Sequence, residues 1–278
     1  MDEKRPACRL FVLLARQAPL GVIFRRGPSK QVQLIKWNTA NDSFESGQWF
    51  KGRIYERRCD VTPNGNLLVY FAAKHKGPDI REHSWTAVSK PPHLSALMLW
   101  FRGDCWSGGG LFESDSALSL NEAPSIKPDT RIAGGGLRVG QLNLGRGEDD
   151  PIDITRRLRD RWELLQEIKT SYQTSFTTLQ PRLMRKSLLQ AILMSSETIT
   201  GFEGRVDYSI SHTNGAVIPL DGAEWADWDR NGRLVFAKEG RLFAGEMRSG
   251  GELKIRELAD FNENDFEEVI APEWALQW

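Results

Sequence analysis

The sequence predicts an all-β protein, and three observations support this fold class. Most of the chain consists of short apolar or alternating runs bounded by glycine, proline or asparagine, as expected for half-buried strands. Strands and helices do not alternate regularly, which argues against a doubly wound sheet or a barrel with outer helices. One strand–turn–strand pattern also occurs twice, at residues 60–65 and 227–232.

The predicted strands follow one another along the chain, with turn residues between them. In the first half they are "LFVLLA" (10–15), "LGVIF" (20–24), "QVQLIKW" (31–37), "GRIYERR" (52–58), "NLLVYFAA" (66–73), "SWTAVS" (84–89), "LSALMLWF" (94–101), "GGLFES" (109–114) and "ALSL" (117–120). In the second half they are "RVDYSIS" (205–211), "AVIPL" (216–220), "RLVFA" (233–237), "RLFAGEM" (241–247) and "KIRELADF" (254–261).

Residues 150–200 interrupt this pattern and indicate a helical insertion. An N-cap candidate, Asp153 or Thr155, precedes apolar residues at helical spacing in "DITRRLRDRWELLQEIKTSY". The stretch "PRLMRKSLLQAILMSS", which starts at Pro181, also places leucines and isoleucine on one helical face. Strands remain an alternative here, because "WELLQEI" alternates as well.

Two turns share one arrangement of residues. Asp60 precedes Asn64-Gly65 and Leu67, and Asp227 precedes Asn231-Gly232 and Leu234. Asparagine and glycine tolerate the positive φ of a tight turn, and the aspartate can accept hydrogen bonds from turn amides. This pattern predicts a structural role for Asp227, with Trp225 and Trp228 packing on the strand before the turn.

The two turns resemble the Asp-x-x-Pro-Asp-Gly turn of WD-repeat-like β-propellers. Pro63 matches that pattern, whereas Arg230 departs from it in the second turn. The two aspartates lie 167 residues apart, close to four blade periods of about 40–45 residues each. The resemblance implies a single β-propeller domain of about five blades over residues 1–278, with 150–200 as an insertion within it. Two unrelated hairpins in another all-β fold are the alternative.

Composition and charge narrow the class of protein. The 278 residues are 40% hydrophobic, and 37 basic side chains balance 37 acidic ones, which argues mildly against general nucleic-acid binding. The run "LFVLLA" is too short for a secretory segment or a membrane span. The three cysteines have no CxxC pair, which predicts reduced, partly buried thiols. We therefore expect a cytoplasmic protein without membrane contact.

The motifs predict no catalytic, cofactor or metal site. The four histidines lack metal-ligand spacing, although His75 and His83 flank one polar loop and can meet on the surface. The glycine-rich stretch "GGGLRVGQLNLGRG" lacks the Gly-Lys-Ser/Thr of a phosphate loop. No sequence motif pairs a cysteine with a histidine, although a spatial partner would be invisible in the sequence.

These observations predict a non-enzymatic protein-interaction scaffold or adaptor subunit of a larger cytoplasmic assembly. The residues expected to bind a partner protein are Trp49, Trp106, Arg157, Arg161, Trp162, Trp274 and Trp278. The C-terminal segment with the last two tryptophans either closes the ring against "LFVLLA" or forms an exposed hook.

Two alternatives remain open. In the first, the arginine clusters and tryptophans bind nucleic acid through phosphate contacts and stacking. In the second, the chain is a propeller enzyme with a site at the channel mouth, where His83, Arg102 and Asp104 would converge.

Overall fold

The computed structural model describes residues 6–27, 30–121, 129–132, 136–144, 150–170, 174–181, 187–198, 201–212, 217–247 and 252–278. The chain divides into two compact units: residues 1–153 together with 263–278, and residues 154–262. Short strands dominate both units, so the predicted all-β class is confirmed. In the described part of the chain, no helix is long and apolar enough to cross a membrane.

The first unit contains strands β1 to β13. They are β1 (Arg9–Leu14), β2 (Leu20–Arg26), β3 (Gln31–Asn38), β4 (Ser43–Lys51), β5 (Arg53–Ile54), β6 (Asp60–Val61), β7 (Leu68–Ala73), β8 (Ser84–Ser89), β9 (Met98–Phe101), β10 (Gly110–Ser114), β11 (Ala117–Asn121), β12 (Asp129–Ile132) and β13 (Arg138–Leu142). Short 3₁₀ helices lie at Glu56–Arg58, Ile80–His83 and Glu273–Ala275.

These strands form three sheets. The first has the order β1-β2-β3-β4, and the second has the order β12-β9-β8-β7-β5 with β6 also paired to β7. The third has the order β10-β11-β13, in which β11 and β13 are parallel. Buried apolar side chains fill the unit because the strands alternate or are apolar throughout, and one cluster joins Val69 and Trp100 of the second sheet to Phe112 of the third.

The second unit contains the remaining strands. They are β14 (Trp162–Thr170), β15 (Thr174–Pro181), β16 (Ser187–Thr198), β17 (Gly201–His212), β18 (Val217–Pro219), β19 (Trp225–Trp228), β20 (Leu234–Lys238), β21 (Arg241–Met247) and β22 (Leu253–Asp260). They form two antiparallel sheets, β14 to β18 and β19 to β22, each in chain order. Trp162, Tyr208, Ile210 and Phe236 lie in its core cluster.

The helical insertion predicted for residues 150–200 is wrong for most of its length. A helix, α1 (Asp150–Arg159), begins before the predicted N-cap residues and ends ahead of Trp162. The second predicted helix is strand β16, and its apolar residues pair with β15 and β17. Alternating and helical patterns overlap in "SLLQAILM", and pairing with neighbouring strands decides between them.

The repeated turn is confirmed as a backbone feature. The Gly65 N–H donates to the Thr62 carbonyl and the Gly232 N–H donates to the Asp229 carbonyl, each at 2.8 Å. Both glycines have positive φ, 76° and 67°. In each case the strand before the turn pairs antiparallel with the strand after it, β6 with β7 and β19 with β20.

The role predicted for the two aspartates is corrected. Asp60 is buried, and its Oδ2 accepts a hydrogen bond from the Phe112 N–H at 2.7 Å, which ties the second sheet to the third. Asp227 accepts from the Trp228 N–H at 2.7 Å. Asp229 is the turn acceptor of the second motif, because its carboxylate accepts from the backbone N–H and the Nε of Arg233.

The C-terminal segment does not extend the sheet at β1. Within the described residues, β1 pairs with β2, and the segment after Asp260 ends in the 3₁₀ helix Glu273–Ala275. Its fixed points are elsewhere in the same unit: the Trp274 ring packs on His93 with centroids 5.3 Å apart, and Lys90 donates to the Trp274 carbonyl at 3.0 Å.

Candidate active site

Two loops at one end of the second sheet bring Cys105 next to His75. The loop 74–83 joins β7 to β8, and the loop 102–109 follows β9. Antiparallel pairing of Ala73 with Ser84 and of Trp85 with Phe101 places both loops at the same end of the sheet. The His75 Nε2 lies 3.6 Å from the Cys105 Sγ, within reach of a sulfur hydrogen bond.

Tyr55 completes a row of three functional groups. Its hydroxyl donates to the Cys105 Sγ at 3.2 Å, on the side of Tyr55 that faces the 102–109 loop. The backbone N–H of Tyr55 donates to the Phe71 carbonyl at 2.9 Å, and the two rings lie 5.2 Å apart. The tyrosine is therefore held by β7, the strand that also leads into the loop of His75.

Positive charge surrounds this row. The guanidinium of Arg53 lies 4.4 Å from the centre of the Tyr55 ring, and that of Arg58 lies 5.1 Å from it. Burial, followed by the hydrogen bond and the charge interaction with Cys105, raises the pKa of Tyr55 to about 12, although both arginines lower it. The hydroxyl consequently stays protonated at neutral pH and serves as a donor.

Arg58 also fixes the loop that carries the thiol. This side chain is buried, and its Nη1 donates to the Cys105 carbonyl at 2.8 Å. Gly109 has φ +79° and lies so close to the Arg58 backbone that an added Cβ would be 2.2 Å from the Arg58 carbonyl oxygen. Its N–H donates to the Thr86 hydroxyl at 2.9 Å. Only glycine fits this position, which anchors the far end of the loop.

The near end of the loop is anchored through strand β8. The Arg102 N–H donates to the Ser84 carbonyl at 2.9 Å, and the Ser84 hydroxyl donates to the Asp104 carbonyl. The Asp104 side chain accepts from the Trp106 N–H at 3.0 Å. Burial lowers the pKa of Arg102 to about 10 while Asp104 opposes the shift, so the guanidinium remains charged at neutral pH.

His83 belongs to the same loop pair. Its ring lies 6.4 Å from that of His75, and its backbone carbonyl accepts the N–H groups of Lys74 and His75. The His83 Nε2 lies 3.0 Å from the Gly77 carbonyl, and since a carbonyl can only accept, this nitrogen carries the proton. Within the described residues, no group of three or more His, Cys, Asp or Glu side chains could hold a metal ion.

The arrangement is suited to nucleophilic chemistry. A thiol becomes a strong nucleophile when a base takes its proton and nearby donors and cations stabilise the thiolate. His75 is placed as that base, Tyr55 is a donor to the sulfur, and Arg58 supplies positive charge. Cys8 and Cys59 are buried, whereas Cys105 is partly exposed, so this thiol is the one that a small molecule can reach.

Sequence reasoning missed the Tyr55–Cys105–His75 site, but it named three residues of the same two loops, His83, Arg102 and Asp104. The expected convergence of the His83, Arg102 and Asp104 side chains stays a prediction; Ser84, the residue after His83, bonds to the Arg102 N–H and to the Asp104 carbonyl. Cys105 directly follows Asp104, and His75 lies in the same loop as His83. The sequence carries one weak signal: His75 and Cys105 each lie two residues from a turn glycine, Gly77 or Gly103, in the loops after β7 and β9.

The residues predicted to bind a partner are scattered over both units. Trp106, Trp274 and Trp278 are 64%, 49% and 42% exposed, and Arg161 is exposed as well. Trp49 is half-buried between the Arg25 guanidinium and the Phe266 ring. Arg157 and Trp162 lie in the interior of the second unit, where the Arg157 Nη2 donates to the Tyr208 hydroxyl at 2.9 Å.

Burial reduces the number of arginines in the predicted clusters that a nucleic acid could contact. Arg25, Arg58, Arg156 and Arg157 are all buried, with 0% to 6% of each residue exposed. Side chains in the interior cannot neutralise the phosphates of a nucleic acid. Nucleic-acid binding stays an untested prediction with fewer available cations than the sequence implied.

Comparisons with known proteins were made on sequence and on structure. No protein-family model and no curated protein matches the sequence. A proposed 6-phosphogluconolactonase from Bacteroides fragilis matches the structure at 8% identity, with 92% of this chain and 95% of that chain covered and a TM-score of 0.36. The GH43 BlXynB protein from Bacillus licheniformis matches at 8% identity over 98% of this chain and 60% of that chain, with a TM-score of 0.34. A polysaccharide lyase, the PL25 ulvan lyase, matches at 12% identity over 91% and 70%, with a TM-score of 0.21.

The prediction of a non-enzymatic scaffold is corrected by these matches. The matched proteins are named as a lactonase, a GH43 protein and a polysaccharide lyase, and none of these three is named as an adaptor. With TM-scores below 0.5, none of their reactions is transferred to this chain.

Proposed function

We propose that the chain is an enzyme that uses Cys105 as a nucleophile toward an acyl carbon, as in the hydrolysis of an ester or thioester. The observation that carries the proposal is the row formed by the Tyr55 hydroxyl, the Cys105 Sγ and the His75 Nε2, with separations of 3.2 and 3.6 Å. A hydroxyl that donates to the sulfur leaves the thiol proton free to be given to the imidazole. The row therefore supplies a nucleophile, a base and a donor in contact.

Each of the three side chains has its own role in the reaction. The thiol proton passes to the His75 Nε2 while the sulfur forms a bond to the acyl carbon, and the carbonyl electron pair moves to its oxygen. The Tyr55 hydroxyl, protonated at neutral pH, turns from the sulfur to that oxyanion. The leaving group departs with the proton of the imidazolium, and neutral His75 then activates a water that hydrolyses the thioester.

Labelling of the thiol tests the nucleophile. We expect iodoacetamide to alkylate Cys105 in the folded protein faster than a free thiol, with Cys8 and Cys59 protected by burial. Incubation with p-nitrophenyl acetate should release one equivalent of p-nitrophenol in a burst and add one acetyl group at Cys105, as measured by mass spectrometry. Cys105→Ala should abolish both signals, and Cys8→Ser is the matched control that should retain them.

Two further variants test the roles of His75 and Tyr55, the two side chains in contact with the Cys105 thiol. His75→Gln should lower the acylation rate by about 10²-fold or more, since a general base typically contributes 10²–10⁴-fold. Tyr55→Phe should lower it by about 10²-fold through loss of the oxyanion donor. An alkylation rate for Cys105 equal to that of free cysteine, together with no acyl adduct, would count against the proposed function.

We further propose that the five sheets found in the described residues are blades of a single β-propeller of WD-repeat-like type. Their number agrees with the sequence expectation of about five blades. The same turn recurs between β6 and β7 of the second sheet and between β19 and β20 of the fifth. In a propeller, catalytic groups carried by loops at one end of the blades are typical of the fold's functional face.

A further inference from the structure

We infer that the Cys105 site selects substrates with an apolar acyl group, which Ile80 and Trp106 hold beside the thiol. This inference rests on the proposed function and names its substrate class. Esters and thioesters of medium-chain or aromatic carboxylic acids are the chemical class in question.

The two side chains are among the most exposed large apolar groups in the described part of the chain. The exposed fraction is 69% for Ile80 and 64% for Trp106. One is on the loop that carries His75, and the other is next to Cys105. Isolated exposed apolar residues are common on protein surfaces, but these two lie on the two loops that carry the reactive pair.

The loops that carry these side chains are in contact. Gly103 has φ +82°, and a Cβ added there would lie 2.9 Å from the Ile80 carbonyl oxygen and 3.2 Å from the Arg81 Cα. The loop of Cys105 therefore passes directly over the short helix Ile80–His83. Ile80 and Trp106 therefore lie on the two touching loops that carry the nucleophile and its base.

Hydrogen bonds fix the backbone beneath both side chains. The Asp79 carboxylate accepts from the Arg81 N–H at 2.9 Å and caps the helix that begins with Ile80. The Asp104 carboxylate accepts from the Trp106 N–H at 3.0 Å. An apolar surface held in place loses little conformational entropy when a substrate covers it. The Asp79–Arg81 ion pair brackets Ile80 in the sequence, so the two apolar side chains stand among charged neighbours that a substrate's carbonyl end can meet.

A series of p-nitrophenyl esters tests this inference, with acyl chains from acetyl to octanoyl. We expect kcat/KM for acylation of Cys105 to rise by about twofold or more per methylene, because each methylene removed from water favours binding. The double variant Ile80→Ser with Trp106→Ala should flatten this dependence, with the acylation rate of each variant normalised to its own iodoacetamide alkylation rate at Cys105. Ile270→Ser, which removes an 88% exposed isoleucine of the same unit, is the matched control.

The outcomes are distinguishable. A chain-length dependence that the double variant loses and the control keeps supports the inference. A reactive Cys105 without such a dependence, or a dependence that survives in the double variant, overturns the apolar substrate class and leaves the nucleophile intact. Absence of any acyl adduct at Cys105 with every ester overturns both this inference and the proposed function.

Discussion

At the scale of the residue, Asp227 shows how a carboxylate can be structural and still titrate unusually. It lies on β19, where its carboxylate accepts the Trp228 N–H at 2.7 Å. Burial raises its pKa from the ordinary value of 3.8 to about 6, and Asp160 adds to the rise. The hydrogen bonds from Trp228 and Trp162 and the charge of Arg157 oppose it without cancelling it.

This shift predicts a pH dependence of stability. The folded state holds the Asp227 proton more tightly than the unfolded state, so the contribution of this group is greatest below about pH 4 and is lost as the pH rises through about 6. Asp227→Asn keeps an acceptor oxygen without the charge. It should therefore be more stable than the original protein at pH 7, with a difference that shrinks toward pH 4, as measured by urea denaturation.

The exposed Asp221 of the same unit provides the control. Asp221→Asn changes the net charge by the same amount at a position on the surface. Equal effects of the two substitutions at every pH would contradict the role given to burial.

At the scale of the element, the C-terminal segment is fixed by side-chain contacts with the rest of the first unit, and one of the contacting side chains titrates. Trp274 packs on the buried His93, and the Gln48 Nε2 donates to the Val269 carbonyl at 2.9 Å. Burial lowers the pKa of His93, and Lys36 adds to this effect while Glu45 opposes it. A depressed histidine pKa means that the stability from this group is present above the ordinary pKa of 6.5 and is lost as the pH falls below it.

We therefore expect protection of the amides of residues 269–276 in hydrogen exchange to fall between pH 7 and pH 5, apart from the intrinsic pH effect on exchange. Trp274→Ala should lower this protection at pH 7 by about 1 kcal/mol in opening free energy. Trp278→Ala removes a ring that is 42% exposed and serves as the comparison. Equal protection in both variants would rule out the contact with His93 as the fixing point.

The strands and turns were the most predictable elements, for local reasons. The apolar runs of β1, β2, β7 and β8 and the glycine turns between strands are encoded within a few residues of each other. Strand β4 was missed because "SFESGQWFK" is mostly polar and largely exposed on both faces. Strand β16 was assigned as a helix because its apolar run fits both periods, and pairing with β15 and β17 is decided by residues outside the run.

The candidate site was not predictable from local pattern. His75 and Cys105 are 30 residues apart, and they meet because β7, β8 and β9 are consecutive antiparallel neighbours with a fixed register. Tyr55 joins them through β5 and its bond to Phe71, a contact that no motif encodes. Knowledge of the strand order would have been sufficient to place all three residues at one end of the sheet.

At the scale of the whole molecule, the propeller proposal makes a prediction about size. A single compact domain of 278 residues should have a radius of gyration of about 19 Å. Two units that tumble separately would give a larger value and a broader distance distribution. Small-angle X-ray scattering at several protein concentrations measures this, and a radius well above that of one compact domain would contradict the single propeller.

The backbone at His75 adopts a conformation that is rare for a residue with a side chain. Its φ of +51° lies in the left-handed region, which glycine occupies without cost and other residues rarely adopt. The imidazole is therefore attached to a backbone position that glycine could occupy without strain. His75→Gly should leave the loop intact and remove the imidazole beside Cys105, at an exposed position that a small molecule can reach. Free imidazole added to the solution can then replace the missing side chain. If it restores the acylation rate, the His75 ring acts as a base in the reaction and is not needed to hold the loop in place.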